Sequence, residues 1–110
     1  MDKSVLEELF GRSPRASIIT AFSDGIGDAW SKKEIQEMTG LSKATVLNNW
    51  APLEEYGIIK VKKRFGNTKL FTLDTENITV KLLLKFEMAL ADYVAPKSEK
   101  KTNTKEAIPA

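Results

Sequence analysis

The chain has 110 residues, of which 42% are hydrophobic, 29% charged and 8% aromatic, the make-up of one small globular domain. It holds no cysteine and no histidine, which excludes disulfide staples, thiolate metal clusters, thiol nucleophiles and imidazole bases, and with them most hydrolase, metalloenzyme and redox chemistry. The longest apolar stretch, residues 80–95, is interrupted by Lys81, Lys85, Glu87 and Asp92, so no bilayer-spanning helix is expected.

The start, MDKSVLEELF, lacks a basic segment followed by an apolar run, so no secretory signal is expected and a cytoplasmic location is. The formal net charge of +2 is unevenly distributed. Residues 1–30 balance at −2, residues 31–73 at +4, and residues 74–110 at zero. The middle third is therefore where a polyanion would be met.

In chain order, residues 3–10 predict a short amphipathic helix with Val5, Leu6, Leu9 and Phe10 on its apolar face. Ser13-Pro14 predicts the cap and first residue of a second helix, with Ile18, Ile19, Ala21 and Phe22 inward. Asp24 to Asp28 reads as a loop. Ser31-Lys32-Lys33-Glu34 is a capping box opening a third helix, with Ile35 and Met38 inward and Gly40 ending it. Ser42 is positioned to cap a fourth helix from Lys43, whose Val46, Trp50 and Leu53 recur at helical spacing.

The period then changes from 3.6 to 2. Residues 58–65 and 68–73 alternate around Gly66-Asn67 and predict a hairpin. Burial argues that Ile59, Val61, Phe71 and Leu73 share one face, which requires 61 to pair with 71 and 59 with 73. A three-residue loop or an equivalent bulge gives that register, with Lys60, Lys62 and Arg64 projecting together and Lys63 opposite Lys69. Trp30 is expected to add a short third strand. Residues 76–94 return to helix with a polar arc of only Lys81, Lys85 and Asp92. The polar stretch from Pro96 reads as a disordered tail.

The segment S-K-K-E-I-x-x-M-T-G-L-S-K-A-T-V-x-x-x-W-x-x-L-E-E-Y-G-I-I resembles winged helix-turn-helix transcriptional regulators of the ArsR- and MarR-like groups. Ile35, Gly40-Leu41-Ser42, Thr45-Val46, Leu53 and Gly57-Ile58-Ile59 carry the match. Leu9 to Ala16 is similar to the lead-in of archaeal members. The implied fold is mainly α with a small β-hairpin: a winged helix-turn-helix domain in residues 1–75, a dimerisation helix in 76–95, and a tail in 96–110. The absence of Cys and His argues against a thiolate metal sensor, and no cofactor is expected.

In such a fold the second helix of the pair offers its first turns to the DNA major groove. Ser42, Lys43, Thr45, Asn48 and Asn49 are the polar side chains available to bases: Asn suits adenine, Lys suits guanine or phosphate, and Ser and Thr suit either. Rotating the helix by one residue exchanges Asn48 for Asn49. Helix 43–51 is thus expected in the major groove and the 58–73 wing at phosphates and the minor groove, with Lys32, Lys33, Lys60, Lys62, Lys63, Arg64, Asn67 and Lys69 as the candidates for phosphate contact. Pro52 predicts a kink or break near residues 48–51, with residues 53–56 as a final turn, because an interior proline costs about 3 kcal/mol. Trp50 stands where relatives commonly hold leucine and is read as core.

Ile78, Leu82, Leu83, Phe86, Leu90 and Tyr93 are the candidates for dimerisation, since one small domain cannot cover so wide an apolar arc. The expected function is a dimeric, sequence-specific repressor of transcription binding double-stranded DNA. A sequence-neutral chromatin or plasmid-segregation protein shares the same DNA chemistry, and a winged-helix protein-interaction module is a further alternative. An enzyme is not expected: Asp24, Asp28, Glu54 and Glu55 show no convergent pattern, and no phosphate-cradling glycine loop is present.

Overall fold

The computed structural model describes residues 5–94; the expectations for residues 1–4 and for the tail fall outside them. The chain is mainly α, with one two-stranded antiparallel hairpin and a long C-terminal helix. The elements are α1 (Val5–Phe10), α2 (Pro14–Asp24), α3 (Lys32–Thr39), α4 (Lys43–Asn48), α5 (Trp50–Glu55), β1 (Ile59–Phe65), β2 (Thr68–Leu73) and α6 (Ile78–Val94). Among the described residues no helix is long and apolar enough to cross a membrane.

Local chemistry sets most of the boundaries. The Ser13 hydroxyl accepts from the Ala16 amide and Pro14 opens α2, where a missing N–H costs nothing. At α3 the capping box is complete: Ser31 Oγ accepts from the Glu34 amide, and Glu34 Oε1 accepts from the Ser31 amide. Gly40 closes the helix at φ +76°, a conformation that glycine alone adopts without penalty. Ser42 then caps α4 through the Thr45 amide.

The expected break lies at Asn49, which separates α4 from α5. The last segment begins earlier than residue 53, at Trp50. The reason is Pro52: once the chain breaks at Asn49, proline falls in the first turn of a new helix, where its missing N–H leaves no gap in the hydrogen-bond ladder.

The core joins Ile18 and Phe22 of α2, Ile35 of α3, Val46, Trp50 and Leu53 of the α4–α5 pair, Ile58, Ile59, Phe71 and Leu73 of the hairpin region, and Val80 of α6. Trp50 lies at its centre, 5.8 Å from the Phe22 ring and 5.1 Å, edge to face, from Phe71. Three expected core positions are instead exposed. Met38 is open, and Ile35 is the residue that α3 buries. Leu9 and Phe10 are open because α1 has fewer than two turns and anchors through Leu6 against α2 and α6.

In the hairpin, Ile59 pairs with Leu73 and Val61 with Phe71, as burial demands. A bulge between Val61 and Lys63 delivers that register, and the turn holds only Gly66 and Asn67. Lys63 consequently faces Leu70, and the like-charged pair is Arg64 with Lys69. Since a bulge reverses the alternation beyond it, Arg64 joins the Phe71 face and parts from Lys60. Trp30 makes the third strand as a single bridge, exchanging both backbone hydrogen bonds with Phe71 at 2.8 Å. The loop before it covers the hairpin's outer base: Thr72 Oγ1 donates to the Asp28 carbonyl at 2.8 Å, and Lys62 Nζ to that of Gly27 at 2.5 Å.

Asn77 fastens α6 to the rest. Its carboxamide nitrogen donates to the carbonyls of Tyr56 and Gly57, and its oxygen accepts from the Thr79 amide. Val80 and Leu84 reach the core. The stripe Ile78, Leu82, Phe86 and Tyr93 stays 42–65% exposed, while Leu83 and Leu90 are half-buried along its margin.

Glu87 sits on the packed flank of α6. Burial, and then the nearby Asp24 carboxylate, push its carboxyl above the ordinary range, partly offset by a hydrogen bond with Ser23. A raised folded-state pKa means that the folded protein binds the extra proton, so stability falls as pH rises through the window between the unfolded and folded values. Glu87→Gln is therefore expected to stabilise the domain at pH 7 and to leave it unchanged below about pH 4. Denaturant midpoints at the two pH values check this; equal midpoints at pH 7 would contradict it.

Candidate nucleic-acid interface

The first turn of α3 is the hub of the basic surface. Lys32 Nζ lies 5.7 Å from the centre of the Trp50 ring and 5.9 Å from that of Phe71, so its stem crosses the edge of the core and its charge is held there. On one side of Lys32 and Lys33 is a cleft of about 390 Å³ against α4, bordered by Gln36, Lys43, Val46 and Leu47. On the other is a cleft of about 450 Å³ against the hairpin, bordered by Ser31, Asn67, Thr68, Lys69 and Phe71. Recognition-helix candidate and wing thus flank the same two lysines.

The structure brings together Lys32, Lys33 and Lys43 on the helical side, and Asn67 and Lys69 on the wing side. Arg64 stands directly across from Lys69, a like-charge opposition that is unfavourable unless an anion meets it. Three of the expected phosphate ligands are directed elsewhere. Lys60 pairs with Asp74 at 3.7 Å, Lys62 is bound to Gly27, and Lys63 lies over the Phe65 ring at 5.3 Å. Lys60, Lys62 and Arg64 therefore do not project as one group; the bulge at Lys62 separates them.

On α4, Ser42, Lys43 and Asn48 are exposed and Thr45 and Asn49 are half-buried. The Ser42 hydroxyl also donates to Thr45 Oγ1 at 2.9 Å. Asn49 is engaged inside the protein: its amide donates to the Thr45 carbonyl at 2.8 Å, and its oxygen accepts from Arg15 Nε at 3.1 Å. Of the two asparagines, Asn48 is the exposed one and Asn49 is the one engaged within the protein. Arg15, absent from the sequence-derived set, adds a cation beside the α4–α5 junction. No local pattern signals it, because 34 positions separate it from Asn49.

Asn48→Ala is expected to narrow the ratio of specific to random-duplex affinity by about 5- to 150-fold, the range for losing one bidentate base contact, with little effect on stability. Asn49→Ala should instead lower the melting temperature, because Arg15 and the Thr45 carbonyl lose their partner. Competition binding and thermal melts of both variants separate the roles. The reverse pattern would exchange the assignments.

Among the described residues no group of three or more acidic side chains is placed to hold a metal ion. No family model, curated protein or solved structure matches the chain.

Proposed function

We propose that the chain is a sequence-specific, double-stranded-DNA-binding regulator of transcription that acts in the cytoplasm as a homodimeric repressor by occluding its operator, without catalytic activity or cofactor. The observation that carries this reading is the shared border: Lys32 and Lys33 line both the α4 cleft and the wing cleft, so one duplex can meet both. Lys43 and Asn48 then face bases, while Lys32, Lys33, Arg64 and Lys69 face phosphates. The open stripe Ile78, Leu82, Phe86 and Tyr93 supports pairing through α6. A two-fold axis there implies two half-sites about 34 Å apart.

A second reading, sequence-neutral DNA binding, is favoured by one observation: Thr45 and Asn49 are both engaged within the protein, which reduces the set of side chains available to read bases. Selection of bound fragments from random-sequence DNA decides between the readings. A recovered inverted repeat supports the regulator, and salt-sensitive retention with no motif supports the sequence-neutral protein. Absence of binding at low salt overturns both and leaves a protein-interaction module.

A further inference from the structure

The far end of the hairpin carries a side chain that the major-groove reading does not use. Phe65 is 65% exposed, next to the two-residue turn Gly66-Asn67. The base of the hairpin is covered on one face by the helices and on the other by the Gly25–Ala29 loop, whereas residues 62–69 are all exposed. An aromatic ring at a solvated apex contributes little to folding. Here it is also held in place: Gly66 takes φ +59° to make a tight turn, and the Lys63 ammonium lies 5.3 Å from the ring centre, a cation–π contact that restrains its orientation. Lys63 shares the ring's face of the hairpin, and Arg64 and Lys69 project from the opposite face beside the same tip.

An apolar ring at the tip, with Lys63 beside it and Arg64 and Lys69 on the opposite face of the same ribbon, fits a partner that is anionic outside and apolar a few ångströms further in. Stacked bases behind a phosphate backbone have that profile. We infer that Phe65 is a wedge: with Arg64 and Lys69 on the flanking phosphates, its ring enters the minor groove between adjacent base pairs, unstacks them and bends the duplex toward the major groove. The inference rests on the DNA reading above and extends it to the shape of the bound DNA. It also assigns a preference that no hydrogen bond carries. Pyrimidine–purine steps unstack most easily, so a TA or CA step belongs beneath the wing tip.

The test uses a 30-base-pair duplex labelled at both ends for energy transfer. It carries the selected site or, where selection returns no motif, mixed sequence containing TA steps. Wild-type protein is expected to shorten the end-to-end distance. Phe65→Ala should bind about 5- to 100-fold more weakly, with the same salt slope, and leave the duplex straight. Phe65→Leu, which keeps an apolar wedge, should retain most of the bend. Replacing the TA steps by AA should reduce the wild-type bend and leave the alanine variant unaffected. Circular dichroism confirms that each variant is folded. Wild-type binding without bending, or equal bending by wild type and Phe65→Ala, overturns the wedge and leaves the DNA reading intact. Failure of wild-type protein to bind any duplex overturns the DNA reading, and the wedge with it.

Discussion

Replacing Arg64 and Lys69 together with glutamine is expected to weaken duplex binding about 60-fold near 0.1 M salt, for every sequence alike. The magnitude follows from counterion release. Each phosphate contact contributes about −0.9 to the slope of log affinity against log salt, so losing two flattens the slope by about 1.8. These two residues are chosen because they face each other across the strands and Lys69 borders the cleft shared with Lys32 and Lys33. Lys60→Gln with Lys62→Gln removes the same charge from the same hairpin and serves as the control. Lys60 is paired with Asp74 and Lys62 with a backbone carbonyl, so that pair should leave the slope almost unchanged. Fluorescence anisotropy titrations across a salt series report both. Equal effects of the two double variants would mean that the wing attracts DNA by overall charge and makes no positioned contacts.

Trp50→Ala is expected to cost about 3–5 kcal/mol, the range for truncating a large buried aromatic. Against a total stability of about 5–15 kcal/mol for a domain of this kind, that leaves little margin. Trp50 is 2% exposed and touches Phe22 of α2 and Phe71 of β2 in tilted and edge-on geometries, contacts worth about 0.5–1.5 kcal/mol each beyond their buried area. It also joins the α4–α5 break to the hairpin, so the variant should loosen α4 relative to β1 and β2. Its indole N–H has no hydrogen-bond partner among the described residues. Trp50→Phe therefore gives up volume but no hydrogen bond, and should cost markedly less than alanine. Denaturant midpoints measure the difference. A loss below about 1 kcal/mol for Trp50→Ala would remove it from the centre of the core.

The hairpin illustrates how a correct pattern can still mislead about a surface. Alternation required Ile59 opposite Leu73 and Val61 opposite Phe71, and both pairs are present. The same requirement is met by a longer loop or by a bulge, and those two solutions send the lysines to opposite faces. The bulge lies at Lys62, where the Gly27 carbonyl receives its ammonium. A loop 35 positions earlier in the chain thus occupies a charge that appeared free in the alternating pattern. Leu9, Phe10 and Met38 err in the opposite sense: helical periodicity identifies an apolar face but not whether a neighbour reaches far enough to cover it.

The amino-acid sequence by itself determined most helix starts and stops and where the period changes, because caps, left-handed glycines and Pro52 act over four or five positions. It also marked much of the core, since Ile35, Val46, Trp50, Leu53, Phe71 and Leu73 stand out by spacing alone. Only the tertiary structure decided which charges and amides converge. Asn49 is engaged by Arg15, Lys60 by Asp74, and Lys32 is held over Trp50 and Phe71. Those partners meet through the packing of distant elements, and long side chains take whichever anion, carbonyl or ring that packing brings within reach.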